Sequence, residues 1–293
     1  MLNRRAVLSA SIGAGLLAGC TLSPDEDHTG VDAPHAVPLA RPVRTAWVFS
    51  SGGPRGFVHV GVIKALSEMG LVPDLLVGAS VGAVVAVMYG CGKSARDIER
   101  MALDLKPLSL GRIAIGGNMR LSGSAISDMV RGEVNGLLLE RMRMPVVCVA
   151  ARMSDGRLMG FNAGDAGVAV QASCAIEGQF TPVRIRGEQY VDADLYQPLP
   201  VRLARQLGAS RILAVDASAH EERAPAGTER YRSGDLRKRA LTEPDARAAD
   251  VTLHPEFGYY VNLSREYREL AIAAGYRTTM AAAKQLTALH AAA

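Results

Sequence analysis

The chain has 293 residues, 48% of them hydrophobic, with 33 basic against 29 acidic side chains and a net charge of +4. That length supports a sizeable core, in one large α/β domain or two small ones. The charge favours an anionic membrane surface but is too mild and too dispersed to argue for nucleic-acid binding.

The N-terminus reads as an address rather than as fold. Arg4 and Arg5 form a basic region, and Ala6 to Leu17 is apolar but too short to span a bilayer. Leu17-Ala18-Gly19-Cys20 follows and resembles a bacterial lipobox. The resemblance implies a lipoprotein signal peptide over residues 1–19, cleavage before Cys20, and lipid on that cysteine. The mature protein is then expected on a bacterial envelope membrane. Thr21 stands where inner-membrane retention calls for Asp, which favours the outer membrane, facing the periplasm. Arg4-Arg5 also looks like a twin-arginine signal, so the export route stays open. Cys91, Cys148 and Cys174 remain, an odd set without short spacing. They read as buried thiols, not as a disulfide framework or a zinc motif.

Residues 20–42 are rich in Pro, Asp and Gly without hydrophobic period and read as a flexible tether, with His28 and His35 solvated. One domain over 43–293 follows. Thr45 to Phe49 reads as a buried strand, Ser51-Gly52-Gly53-Pro54-Arg55-Gly56 as a glycine-rich turn, and Phe57 to Met69 as a helix closed by Gly70. Leu75-Leu76-Val77 is a second buried strand. Gly78-Ala79-Ser80-Val81-Gly82 follows at once, then small and apolar residues to Gly90. Strand, helix, strand in this order implies a parallel sheet. Residues 91–139 read as helix and loop, with the glycine-rich stretch 111–123 as a rim or lid. Met144 to Ala150 is a strand, and Asp155-Gly156 turns it into a hairpin with Arg157 to Phe161. Val168 to Cys174 suggests a helix, Gln189 to Asp192 ends a strand, Val201 to Leu207 is a helix, and Ile212 to Asp216 is a strand. Residues 219–248 read as a charged, exposed insertion, and Glu269 to Leu289 as an Ala-rich helix.

The chemistry centres on Ser80. Gly78 and Gly82 let strand and helix meet in a sharp elbow, which exposes the serine oxygen at a helix N-terminus. Gly52, Gly53, Arg55 and Gly56 lie after a parallel strand, at the sheet edge where sites form, and their N–H groups suit an oxyanion. Asp192, at another strand end, is placed to accept the Ser80 proton. Taken singly, each feature has a plain structural reading. Their joint occurrence in this order favours acyl transfer.

Three blocks carry a family resemblance. Phe49 to Gly61, Val77 to Ala83, and the set Ala172 to Ile176, Phe180 to Val183 and Tyr190 to Ala193 resemble the three motif blocks of patatin-like phospholipases. The resemblance covers roughly residues 43–290. It implies a three-layer α/β/α fold with a central, mostly parallel sheet and a nucleophile elbow. It implies a lipid acyl hydrolase with a Ser80–Asp192 dyad, an oxyanion hole in the Gly52–Gly56 loop, and no metal or cofactor. Phospholipid or another acyl ester is the implied substrate. Asp192-Ala193-Asp194 departs from the usual Asp-Gly, and Pro198 stands where asparagine is expected. Two rival readings stay open. One is a Ser80–Asp192–histidine triad using His220 or His254. The other is a lipid-anchored binding protein that keeps only the acyl pocket. His59 reads as a packing or hydrogen-bonding residue. The oligomeric state is not legible.

Overall fold

The computed structural model describes residues 26–106, 112–113, 121–220, 222 and 224–291. Residues 1–19, read as a signal peptide, Cys20 and most of the 111–123 rim lie outside them. A sheet of nine strands forms the centre. Its strands are β1 (Asp27–His28), β2 (Thr45–Phe49), β3 (Leu75–Ala79), β6 (Val146–Arg152), β7 (Leu158–Phe161), β8 (Val183–Ile185), β9 (Glu188–Asp192), β10 (Arg211–Val215) and β11 (Val251–Leu253). A separate two-stranded ladder joins β4 (Arg112–Ile113) to β5 (Leu121–Ser122). Hydrogen bonding follows β1–β8–β9–β6–β3–β2–β10–β11, with β7 also on β6.

The run from β11 through β10, β2 and β3 to β6 is parallel. Both faces of such a sheet are covered, so its strands are apolar without alternation. In β2, Trp47 and Phe49 enter one core layer and Ala46 and Val48 the other, all fully buried. The first layer holds α1 (Val58–Glu68), α2 (Val81–Gly90), α5 (Ala166–Ser173) and α8 (Arg265–Ala281); the second holds α6 (Val201–Gln206). Three further helices, α3 (Ala95–Asp104), α4 (Ser124–Glu133) and α9 (Ala283–Ala291), complete the first face. Helix α1 meets α8 backbone to backbone. A Cβ at Gly61 would stand 1.9 Å from the Ile272 carbonyl oxygen, and one at Gly275 would stand 2.0 Å from that of Val58.

Strand β6 decides where the site lies. Cys148 and Val149 pair β3 on one edge and β7 on the other. Ala150 and Ala151 still pair β7, so β9, which also pairs them, must lie on the edge β3 has just vacated. Strands β3 and β9 therefore meet head to head along β6, Ala79 opposite Val149 and Asp192 opposite Ala150.

Three expectations are corrected. Much of the tether is docked: Asp27–His28 pair with β8, Ala33 is buried, and His35 bridges Ala163 and bonds its own ring to the Ala33 carbonyl. Backbone pairing holds this segment, so hydrophobic period does not reveal it. Residues 232–248 form a 17-residue helix, α7 (Arg232–Ala248). Its inner face packs Ala246 and Ala248 on the second core layer and adds a buried polar contact. Fully buried Asp245 accepts from Gln197 Nε2 and from the N–H and Nε of Arg202. Finally, the C-terminal helix is two helices, broken at Ala282. No helix among the described residues is long and apolar enough to cross a membrane.

Candidate active site

Ser80 leaves β3 at φ 55°, ψ −125°, a conformation that costs a non-glycine residue about 1–3 kcal/mol. The elbow glycines are there for space. A Cβ at Gly78 would lie 2.3 Å from the Gly82 carbonyl oxygen, and one at Gly82 would lie 2.4 Å from that of Phe49. The turn is held by a residue the motif reading left unassigned. Ser173 Oγ accepts the N–H of Ser80 at 2.8 Å and donates to the Val149 carbonyl at 2.6 Å. A small hydroxyl at the end of an apolar helix was the only signal for it.

The head-to-head strands bring Asp192 to Ser80. The aspartate is 2% exposed, and its N–H is fixed on the Ala175 carbonyl. Its Oδ1 accepts the N–H of Asp194 at 2.9 Å, whereas Oδ2 is buried with no hydrogen-bond partner. Burial first, and then the charge of Asp194, push its pKa up to about 7; the Ser80 side chain and Lys238 pull it down. The serine hydroxyl is thus near enough to favour the ionised carboxylate, but the pair is not closed into a hydrogen bond of normal geometry. Such bonds often tighten only when substrate binds. Ala193 occupies the usual glycine position without strain, fully buried at the start of a short 3-10 helix and with negative φ.

Asp194, the other departure, belongs to a small network. Ser51 Oγ donates to Asp194 Oδ1, Lys238 Nζ pairs with the same oxygen, and Lys238 also donates to Ser51 Oγ at 2.7 Å. Pro198 supports the same loop, its carbonyl accepting the Ser51 N–H at 2.9 Å. Helix α7 delivers Lys238, so the segment read as an insertion reaches the site.

The glycine loop needs one revision. Gly53 is left-handed at φ 51°, and no described backbone carbonyl takes the N–H of Gly52 or Gly53. Gly56 lies against the elbow, where a Cβ would stand 2.1 Å from Val81 Cγ1. Arg55, however, is not a free donor. Its N–H bonds the Gly52 carbonyl at 3.1 Å, and its guanidinium bonds the carbonyls of Ala217 and Gly258 and lies over the Phe257 ring. It pins the loop from behind.

Gly53, Gly56, Ser80 and Val81 line one end of a cavity of about 290 Å³. The remainder is apolar, including Val84, Met88, Ile98, Ile126 and Phe180. The space suits a hydrocarbon chain. Cys174 also lines it, and burial raises the pKa of its thiol, as expected of an inert cysteine.

No histidine joins this cavity. His220 and His254 stack on each other at 3.7 Å beside Asp216 and line a different cavity. His59 is fully buried, bonds the Ser50 carbonyl, and is held by burial at about 4, hence neutral. The triad reading therefore lacks its base.

A solved structure with the same architecture is VipD from Legionella pneumophila, with TM-score 0.56 over 92% of this chain and 72% of that one, at 14% identity. Relatives by sequence include an uncharacterised NTE family protein of Mycobacterium tuberculosis, 30% identical over 181 residues, 61% of this chain and 50% of that one. Lysophospholipase NTE1 of Coccidioides immitis is 28% identical over 192 residues, 61% of this chain and 12% of that one. Patatin-like phospholipase domain-containing protein 6 of Homo sapiens is 26% identical over 187 residues, 60% of this chain and 14% of that one. The chain matches half or less of the length of these relatives. The patatin-like phospholipase model matches residues 47–205, the span that carries the glycine loop, the elbow and Asp192. With more than half of its length inside that model, the chain belongs to the patatin-like phospholipase family.

Proposed function

We propose that the protein is a lipid acyl hydrolase acting through a Ser80–Asp192 dyad. The observation that carries this reading is the unpartnered, buried oxygen of Asp192 beside a strained serine at the mouth of an apolar cavity. Asp192 takes the hydroxyl proton as Ser80 Oγ attacks the ester carbonyl. The N–H groups of Gly52 and Gly53 hold the oxyanion; each donor of this kind contributes about 3–4 kcal/mol. The alcohol leaves with a proton, and the acyl chain remains on Ser80 inside the cavity. Water, activated by Asp192, then releases the fatty acid. A base with a pKa near 7 is matched to this task at neutral pH. Phospholipids or lysophospholipids are the substrate class, in keeping with the lysophospholipase among the relatives.

Lipid on Cys20 would hold the domain at a membrane.

The test is labelling with a serine-reactive fluorophosphonate together with hydrolysis of a nitrophenyl ester and of lysophospholipid. Ser80→Ala is expected to abolish labelling and to lower turnover by roughly 10³-fold or more, and Asp192→Asn to do nearly the same. Wild-type protein that neither labels nor hydrolyses across pH and detergent conditions would leave the binding-protein reading standing instead.

A further inference from the structure

Strands β10 and β11 end side by side, Val215 opposite Leu253. The next residue on each, Asp216 and His254, therefore emerge together at the carboxyl edge of the sheet. The chain after β10 loops back and adds His220. We propose that Asp216, His220 and His254 bind one divalent transition-metal ion.

Donor atoms of the three side chains all lie within 4.8 Å of one another, with His220 Nε2 3.9 Å from Asp216 Oδ2. A four-coordinate ion with bonds near 2.1 Å needs donors about 3.4 Å apart. The near-parallel imidazoles must rotate out of their stack to aim both lone pairs at one ion. Each histidine is oriented as a ligand usually is. His254 Nε2–H donates to the Ser218 carbonyl at 2.9 Å, which leaves Nδ1 as the free lone pair. His220 Nδ1 faces Glu222 at 3.8 Å, which leaves Nε2 toward Asp216. Asp216 is 3% exposed, and its Oδ1 already accepts the Ser218 N–H, so Oδ2 is the oxygen for the ion. The hydroxyl of Ser218 is also buried, with no hydrogen-bond partner of normal geometry. The buried Asp216 carboxylate is already answered by the Ser218 N–H and by His220, and a divalent cation would take over as its counter-charge. Both histidines line a cavity of about 440 Å³ through which an ion can enter.

Two imidazoles and one carboxylate suit Zn²⁺ and its neighbours rather than Mg²⁺ or Ca²⁺. The ion would clamp the ends of β10 and β11. Arg55 lines the same cavity and holds the Ala217 carbonyl between Asp216 and Ser218, so the clamp also steadies the glycine loop. The ion's place is structural, and binding does not depend on the hydrolase reading.

The test uses the full chain with a histidine-free purification handle, stripped with chelator. Titration with Zn²⁺ by calorimetry is expected to give one ion per chain and a raised Tm. Co²⁺ is expected to give visible absorption bands of a nitrogen-ligated site, erased by Zn²⁺. His254→Gln and His220→Gln should each weaken Zn²⁺ binding at least about tenfold, with far-ultraviolet circular dichroism confirming the fold. Affinity unchanged in the double variant, or wild-type protein that binds neither Zn²⁺ nor Co²⁺ at micromolar concentration, overturns the proposal. The wild-type titration decides this even where a variant misfolds. Ser80→Ala is expected to bind Zn²⁺ as wild type does, which separates this outcome from the fate of the dyad.

Discussion

The hydroxyl of Ser173 accepts the N–H of Ser80 at 2.8 Å and donates a hydrogen bond to the Val149 carbonyl. One small side chain thereby ties the elbow to the strand along which β3 and β9 meet. Ser173→Ala leaves the buried Ser80 amide unsatisfied, at a cost of about 1–3 kcal/mol. The expected outcome is a lower Tm, with ester turnover falling more than KM changes. Loss of KM alone would speak against a positioning role.

Asp192 gives a pH dependence of defined sign. Its pKa rises on folding from 3.8 to about 7, so kcat/KM should climb with pH to a plateau, with a midpoint near 7. Stability runs the other way. The folded chain binds the proton more tightly, so the stability this group contributes is full below pH 4 and is lost as pH rises through about 7. Asp192→Asn, which removes the buried charge, should therefore raise Tm at pH 8 and change it little at pH 4. Thermal scans at the two pH values check this.

Lys238 and Asp194 act on Asp192 in opposite directions. The lysine lowers the pKa of that carboxyl and Asp194 raises it. Lys238→Met should move the midpoint of kcat/KM upward by up to about one unit, and Asp194→Asn should move it downward. Coincident midpoints in the two variants would show that the network only packs.

Val84 lies one turn along α2 from Ser80, about 6 Å away at 1.5 Å per residue, and lines the apolar cavity. Val84→Trp fills the space where an acyl chain continues past its first carbons. Dodecanoate and palmitate esters should lose at least about tenfold in kcat/KM, whereas acetate esters keep theirs. Equal losses on both would mean that the chain leaves by another route.

The central strands, the elbow, the glycine turn and Asp192 were legible because each rests on local signals, namely apolar runs, close-packing glycines and a strand end. Placement of β9 on the edge that β3 vacates was not legible, since it depends on β6 outrunning its neighbour. Helix α7 was missed for a different reason. It is fastened by Asp245 and Lys238, and charge seen in sequence looks the same whether it faces water or a partner. Asp27–His28 were missed because backbone pairing carries no side-chain signature. The Arg55 reading erred in direction alone: the residue stabilises the loop with its side chain, and its amide is already engaged.

The crossing of Gly61 over Ile272 joins the helix that follows the glycine loop to a helix some two hundred residues later. The stretch matched by the family model stops at residue 205, before β10, β11, Lys238 and α8. A protein trimmed to that stretch would retain every motif residue. It would also bare one edge of β2 and strip the cover from α1. Recombinant fragments cut at those limits are thus expected to be insoluble, and silence from them in an esterase screen would say nothing about the whole domain.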